Sequence, residues 1–234
     1  MIEGPIIQTE AAPEVIDRVT GRVVYVLLVM VVLQLTYPFS LLGNWQNAVY
    51  FSFYVALLAS GVYLSSVNRR RMIATTIVAV LNVVVGIPWV MSGGSVVWLA
   101  LASYSMLILF QVMIIVVLVE YIFVTERVNR DVIFSACTIY LILGNAFTGL
   151  YMIIHTLDPE AFVSSTLDTP LPWQRMVYFS YSTLTTLGYG DITPVSPWAQ
   201  SISSLEAILG LLYIAIILGR MASRYGTVPK SEGR

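Results

Sequence analysis

The chain has 234 residues, of which 58% are hydrophobic and 11% charged, and its mean hydropathy is +0.83. Soluble domains run near ~25% charged, so this composition excludes a soluble globular domain. A formal net charge of -1 with no basic arm argues against a nucleic-acid partner, one cysteine (Cys137) excludes an intrachain disulfide, and one histidine (His155) argues against a His-based metal site.

In chain order, the first residues carry Glu3, Glu10, Glu14 and Asp17 ahead of Arg18 and Arg22. That is not the short basic start of a secretory signal peptide, so the N-terminus is expected to be retained, with Pro5 and Pro13 in a loosely ordered lead-in. About 20 apolar residues cross a hydrocarbon core of ~30 Å. Six stretches qualify: Val23–Leu42, Ala48–Leu64, Ile73–Met91, Val96–Val119, Val132–Ile154 and Trp198–Met221. In lipid each must be helical, because unpaired backbone groups cost several kcal/mol apiece. The second stretch is short, and Pro38 and Pro88 lie near span ends where a kink or a stop is tolerated. Cys137 falls inside the fifth stretch and reads as a packing residue.

The basic residues set an orientation. With the N-terminus inside, eleven of the twelve Lys and Arg residues are cytoplasmic and only Arg175 is outside. Asn68-Arg69-Arg70-Arg71 reads as a topology anchor, with a lipid-headgroup site as the lesser alternative. The outer side then holds Asp158, Glu160, Asp168 and Asp191, which concentrate cations at its surface.

The fourth stretch contains no basic residue, and Glu120 appears only at its end. Between the fifth and sixth stretches, Leu171 to Leu184 is too short to span and suits a re-entrant helix, with Asp168 or Thr169 near its start. Irregular backbone at membrane depth is allowed only where protein buries it or water lines it. Thr183-Leu184-Thr185-Thr186-Leu187-Gly188-Tyr189-Gly190-Asp191 follows. Gly188 and Gly190 can take positive φ, which lets successive carbonyls turn the same way rather than alternate. A column of carbonyl oxygens can replace the water shell of a dehydrated cation.

Thr186-Leu187-Gly188-Tyr189-Gly190-Asp191 resembles the potassium-channel selectivity filter, whose usual form is Thr-Val-Gly-Tyr-Gly. The resemblance covers residues 132–222. It implies K+ sites built from the carbonyls of Thr186, Leu187, Gly188 and Tyr189 with the Thr186 hydroxyl, an outer mouth shaped by Gly190, and Asp191 as its anchor. It further implies that Tyr178 and Phe179 form an aromatic pair bracing the filter, with Thr185 behind it. Leu187 departs from the usual valine, which leaves a poorly selective cation channel of the same scaffold as an alternative.

Ser196-Pro197 reads as an N-cap with proline at the first helical position of the last span. Glu206 is a carboxylate inside that apolar helix, a functional candidate by default, with the hydroxyls of Ser182, Thr183 or Thr185 as expected partners. Gly210 resembles the family's inner-helix hinge, and close packing fits it equally; Gly219 reads as packing. If Gly210 is the hinge, helical spacing puts Leu211, Ile214 and Leu218 on one face, with Leu218 as the candidate gate ring; the alternative is that this face packs on the fifth span.

The expected fold is an all-α membrane protein of six transmembrane helices, with a re-entrant pore helix and selectivity filter between helices five and six. Residues 1–22 form a cytoplasmic segment, 23–131 a four-helix sensor-like module without gating charges, 132–222 the pore domain and 223–234 a short cytoplasmic tail, too short for a nucleotide- or calcium-binding gating domain. One filter per chain implies a homotetramer. The expected function is passive, potassium-selective conduction in the cell membrane, not strongly voltage-gated, with K+ as permeant ion, membrane lipids as partners and no organic cofactor. A non-conducting regulatory subunit is the alternative from another class. No nucleophile–base pair or nucleotide loop points to an enzyme.

Overall fold

The computed structural model describes residues 19, 21–41, 44–92, 95–125, 128–166 and 171–225. Expectations resting on the N-terminal lead-in, on Arg127, Asp168 and Thr169, and on the tail beyond Tyr225 lie outside the described residues. The described residues are mostly helical: α1 (Val23–Thr36), a 3-10 turn (Tyr37–Leu41), α2 (Asn44–Ser65), α3 (Arg69–Met91), α4 (Val97–Val124), α5 (Arg130–Leu157), β1 (Phe162–Ser164), α6 (Trp173–Leu184), β2 (Ile192–Pro194) and α7 (Pro197–Tyr225).

Among the described residues, five segments are long and apolar enough to cross a membrane: Val23–Ser40, Arg69–Met91, Val97–Val124, Arg130–Leu157 and Pro197–Arg220. The second expected span, Ala48–Leu64, corresponds to α2, whose apolar part, Val49–Ser65, is shorter. Pro38 lies in the 3-10 turn that ends α1, while Pro88 stays inside α3 one turn from its end. Proline removes an amide donor, and a tighter turn accommodates that loss.

Local caps set the starts of several helices. The Asn68 side chain accepts from the Arg70 amide, and Asn129 accepts from the Val132 amide at 2.9 Å. Ser196 Oγ accepts from the Ala199 amide at 3.3 Å, as expected for the N-cap of α7.

Polar contacts tie six helix ends together at one end of the bundle. Arg22, just before α1, donates to the Tyr63 carbonyl and Ser66 hydroxyl beyond α2 and lies over the Tyr63 ring. The Gly21 amide donates to Asp131 at the start of α5. Arg71 of α3 pairs with Glu120 of α4, so the basic run there is partly an interhelical clamp. Arg220 of α7 donates to the Ile122 carbonyl and lies over the Phe123 ring at the end of α4.

Two apolar cores fill the bundle. One joins α1, α2, α4 and α5 through residues such as Met30, Leu58, Ile114, Leu118 and Ile139. The other lies where α5, α6 and the strands meet, built on Tyr151, Phe162 and Phe179 with ring centroids 5.0–5.5 Å apart. Cys137 differs from its expected packing role: it is exposed on α5, because the buried face of that helix is occupied by Ala136, Thr138 and Ile139.

Candidate functional site

The site begins at the C-terminal end of α6. The Thr185 amide donates to the Tyr181 carbonyl and the Thr186 amide to the Thr183 carbonyl, so the helix tightens before it stops. Thr186 takes φ of 58°, Gly188 56° and Gly190 80°. The two glycines therefore sit in the left-handed region expected of them. A Cβ on either would meet nothing within 4 Å, so conformation rather than space demands glycine. Thr186 adopts the same region without being glycine, which stores local strain.

The loop is held back onto α6 from both sides. The amides of Leu187 and Gly188 both donate to the Ser182 carbonyl, at 2.8 and 3.1 Å. At the far end the Tyr178 hydroxyl donates to Asp191 Oδ1 at 3.1 Å, and the Ser165 amide donates to the Asp191 carbonyl at 2.9 Å. The Tyr178 ring stacks on Tyr189, with centroids 6.0 Å apart and planes 7° from parallel. Thr185 turns its hydroxyl back to the Tyr181 carbonyl. Leu187 and Tyr189 are 56% and 65% exposed in the single chain.

Phe179 does not join Tyr178 in bracing the loop. Its ring contacts are Tyr151 and Phe162, because consecutive helical residues point to different faces. Tyr178 alone of the expected pair reaches the loop.

The strands were not anticipated. Phe162–Ser164 pairs antiparallel with Ile192–Pro194, Phe162 opposite Pro194 and Ser164 opposite Ile192. This ladder closes the segment carrying α6 and the loop into a unit with joined ends. Before α6 the Leu171 amide donates to Nε2 of the buried His155, and in its first turn Gln174 donates to Ser40 Oγ at 2.8 Å.

Glu206 is fully buried, but its partners differ from those expected. The Tyr151 hydroxyl donates to one carboxyl oxygen, and Ser180 Oγ lies 2.5 Å from the other. Ser182 instead donates to the Phe179 carbonyl, and Thr185 to Tyr181, because both are turned along their own helix. Ser180 Oγ also lies 2.6 Å from the Gly144 carbonyl. Glu206 thereby joins α5, α6 and α7 at one point. Gly144 lets α6 approach: a Cβ there would come within 2.7 Å of the Tyr181 ring, whose hydroxyl donates to the Leu141 carbonyl. Asn145 adds a bond to the same hydroxyl at 2.6 Å. Sequence reasoning missed Tyr151, Ser180 and Tyr181; the small and polar Gly144-Asn145 pair inside an apolar helix was the available signal.

Gly210 is buried against α6, and a Cβ there would collide with the Leu184 carbonyl oxygen. Leu211, Ile214 and Leu218 are exposed in the single chain. Tyr213 and Ile217 pack against the core that α5 contributes to, with the Tyr213 hydroxyl donating to the Ala136 carbonyl.

A stretch of strained and glycine-dependent backbone, carried on a short helix and enclosed by two long apolar ones, coincides with a family match. Residues 130–226 match the model of the ion channel family. Over 82 residues the chain is 29% identical to the inward rectifier potassium channel Kirbac3.1 of Paramagnetospirillum magnetotacticum, covering 33% of this chain and 28% of that one. Over 78 residues it is 35% identical to two pore potassium channel c of Oryza sativa subsp. japonica, covering 33% and 17%. Over 100 residues it is 29% identical to Protein LctB of Bacillus caldotenax, covering 41% and 74%. The chain thus spans less than a third of the first two relatives. No solved structure matches at a significant level.

Proposed function

We propose that four copies of this chain assemble into a potassium-selective channel in the cell membrane, with both chain ends cytoplasmic. In this reading α2 is a sixth, short span, and α6 is a re-entrant pore helix between α5 and α7. The end of the bundle where Arg22, Arg71 and Arg220 gather faces the cytoplasm. Thr186, Leu187, Gly188 and Tyr189 supply carbonyl oxygens to the ions, Gly190 shapes the mouth, and Asp191 is tied down by Tyr178.

The observation that carries the reading is the left-handed backbone at Gly188 and Gly190 in a loop pinned to the C-terminal end of α6. That end presents a negative partial charge, which favours a cation beside it. Exposure of Leu187 and Tyr189 in the single chain leaves those side chains surface to meet another copy. Residues 23–131 are a four-helix module whose α4 carries no Arg or Lys, so conduction is not strongly voltage-gated. Leu211, Ile214 and Leu218 line the inner cavity, which their exposure supports. An apolar ring can stop ions by making water leave.

Planar-bilayer recording of the purified full chain under a potassium/sodium gradient tests the proposal. A reversal potential near that of potassium is expected. Reversal near zero identifies a poorly selective cation pore, and absence of current in an intact tetramer identifies a non-conducting subunit.

A further inference from the structure

A cavity of about 1090 Å³ lies between α2, α3 and α4 on one side and α5 and α6 on the other, its walls including Leu57, Gly86, Trp89, Leu107, Gln111 and Val177. It occupies the half of the bundle away from the arginine end, since Trp89 is near the end of α3 opposite Arg71 and Trp173 opens α6. The space is open on one side, where exposed Val55, Ile87 and Val90 border it. Its volume lies slightly above the range of about 300–1,000 Å³ typical of ligand pockets.

Three features define what fits. Most of the lining is aliphatic or aromatic, and no Asp, Glu, Lys or Arg is among the lining residues. A charged headgroup would therefore find no counter-charge there, and its desolvation would be uncompensated. Three buried polar atoms on lining residues also lack a hydrogen-bond partner: Gln111 Oε1, the Tyr104 hydroxyl and the Trp89 indole N–H. Gln111 and Tyr104 are only 3% and 8% exposed. An unsatisfied buried polar group is costly, and it is satisfied when a ligand brings a hydroxyl or carbonyl. Asn82 is already engaged, accepting from the Tyr54 hydroxyl at 2.5 Å and donating to the Ser103 carbonyl at 3.1 Å. The rim residues Val55, Ile87 and Val90 are exposed apolar surface of the kind that faces acyl chains.

We propose that this cavity is a binding site for an uncharged single-chain amphiphile with a hydroxyl or carbonyl head, of the monoacylglycerol or fatty-alcohol class. The apolar body fills the space between α2, α3 and α4, and the head engages Gln111 and Tyr104. Trp173 and Val177 bring α6 into the wall, so an occupant touches the helix that carries the loop of the functional site. Binding itself does not depend on that site conducting.

The test uses the full chain in phosphatidylcholine nanodiscs and reads quenching of tryptophan fluorescence by a monoacylglycerol brominated on its acyl chain. Trp89 and Trp173 both line the cavity. Saturable quenching is expected, with affinity about fivefold weaker in Gln111→Leu and in Tyr104→Phe, each of which removes one polar partner. Gly86→Leu should weaken binding by intruding on the space, because a Cβ there meets only Ser103 Oγ at 3.6 Å, an ordinary contact. A brominated fatty-acid carboxylate should bind more weakly than the neutral ester. Thermal melting of the three variants confirms that they remain folded, and Tyr104→Phe keeps the test open if Gln111→Leu does not. Quenching that rises linearly with amphiphile fraction, that is equal in all variants, or that brominated phosphatidylcholine reproduces overturns the proposal. So does an absence of quenching, the result expected if a neighbouring copy fills the space.

Discussion

The α-carbon of Gly210 sits against the carbonyl oxygen of Leu184, the last residue of α6, with no room for a side chain between them. The Tyr140 hydroxyl donates to that same carbonyl at 3.3 Å, so α5, α6 and α7 meet directly beneath the loop. Close approach therefore accounts for this glycine without any appeal to bending. Gly210→Ala should force α7 and α6 apart and destabilise the folded chain by about 1–3 kcal/mol, the usual cost of overpacking. Thermal denaturation of the purified protein checks this; an unchanged midpoint would show that the contact relaxes freely.

Gly188→Ala tests the loop differently. Its Cβ meets no neighbour, so any effect comes from holding a non-glycine residue at φ of 56°. The expected strain is roughly 1–2 kcal/mol. Stability should fall by no more than that amount while potassium-over-sodium selectivity or current is lost, as read from the reversal potential. Wild-type selectivity in this variant would remove the loop from the conduction path.

Glu206 separates a polar requirement from a charge requirement. Glu206→Gln retains a hydrogen-bonding group facing Tyr151 and Ser180, and the protein is expected to remain folded and conducting. Glu206→Leu takes the carboxyl partner from both hydroxyls, and although Ser180 Oγ keeps the Gly144 carbonyl, the loss is expected to cost about 1–3 kcal/mol. A lower melting temperature for the leucine variant, with little change for glutamine, is the expected pair of results. Equal loss in both would show that the carboxyl group itself is needed.

Voltage should act weakly. Each charge that crosses the field contributes ~2.3 kcal/mol per 100 mV, and α4 has none of the basic side chains that could do so. A shallow conductance–voltage relation is expected. A steep curve would require mobile charge elsewhere in the protein.

Leu218 is 61% exposed on α7 in the single chain, which suits a side chain directed at a pore axis. Leu218→Asn should wet the constriction, raising resting conductance while leaving selectivity and melting temperature intact. Reduced stability with unchanged open probability would exclude it as the gate.

Features that depend on a short run of residues were legible in the sequence. Apolarity sustained over a bilayer's thickness marks a span wherever it packs, and the five long segments follow from it. The positive φ at Gly188 and Gly190 is a property of residues lacking Cβ, and the Ser196 cap acts only three residues ahead. What the tertiary structure alone decided involves partners far apart in the chain. Glu206 meets Ser180 and Tyr151 across 26 and 55 residues, and the choice of Ser180 over Ser182 depends on how α6 is rotated against α7. The pairing of β1 with β2 closes over the whole α6 loop, and strands of three residues carry too little periodicity to announce themselves. Gly210 could serve bending or close packing by its chemistry, and the arrival of the Leu184 carbonyl supplies a reason for close packing that the sequence does not show. Burial and hydrogen bonding at such points are set by helix rotation and spacing, which apolar patterning constrains loosely when every face of a helix is apolar.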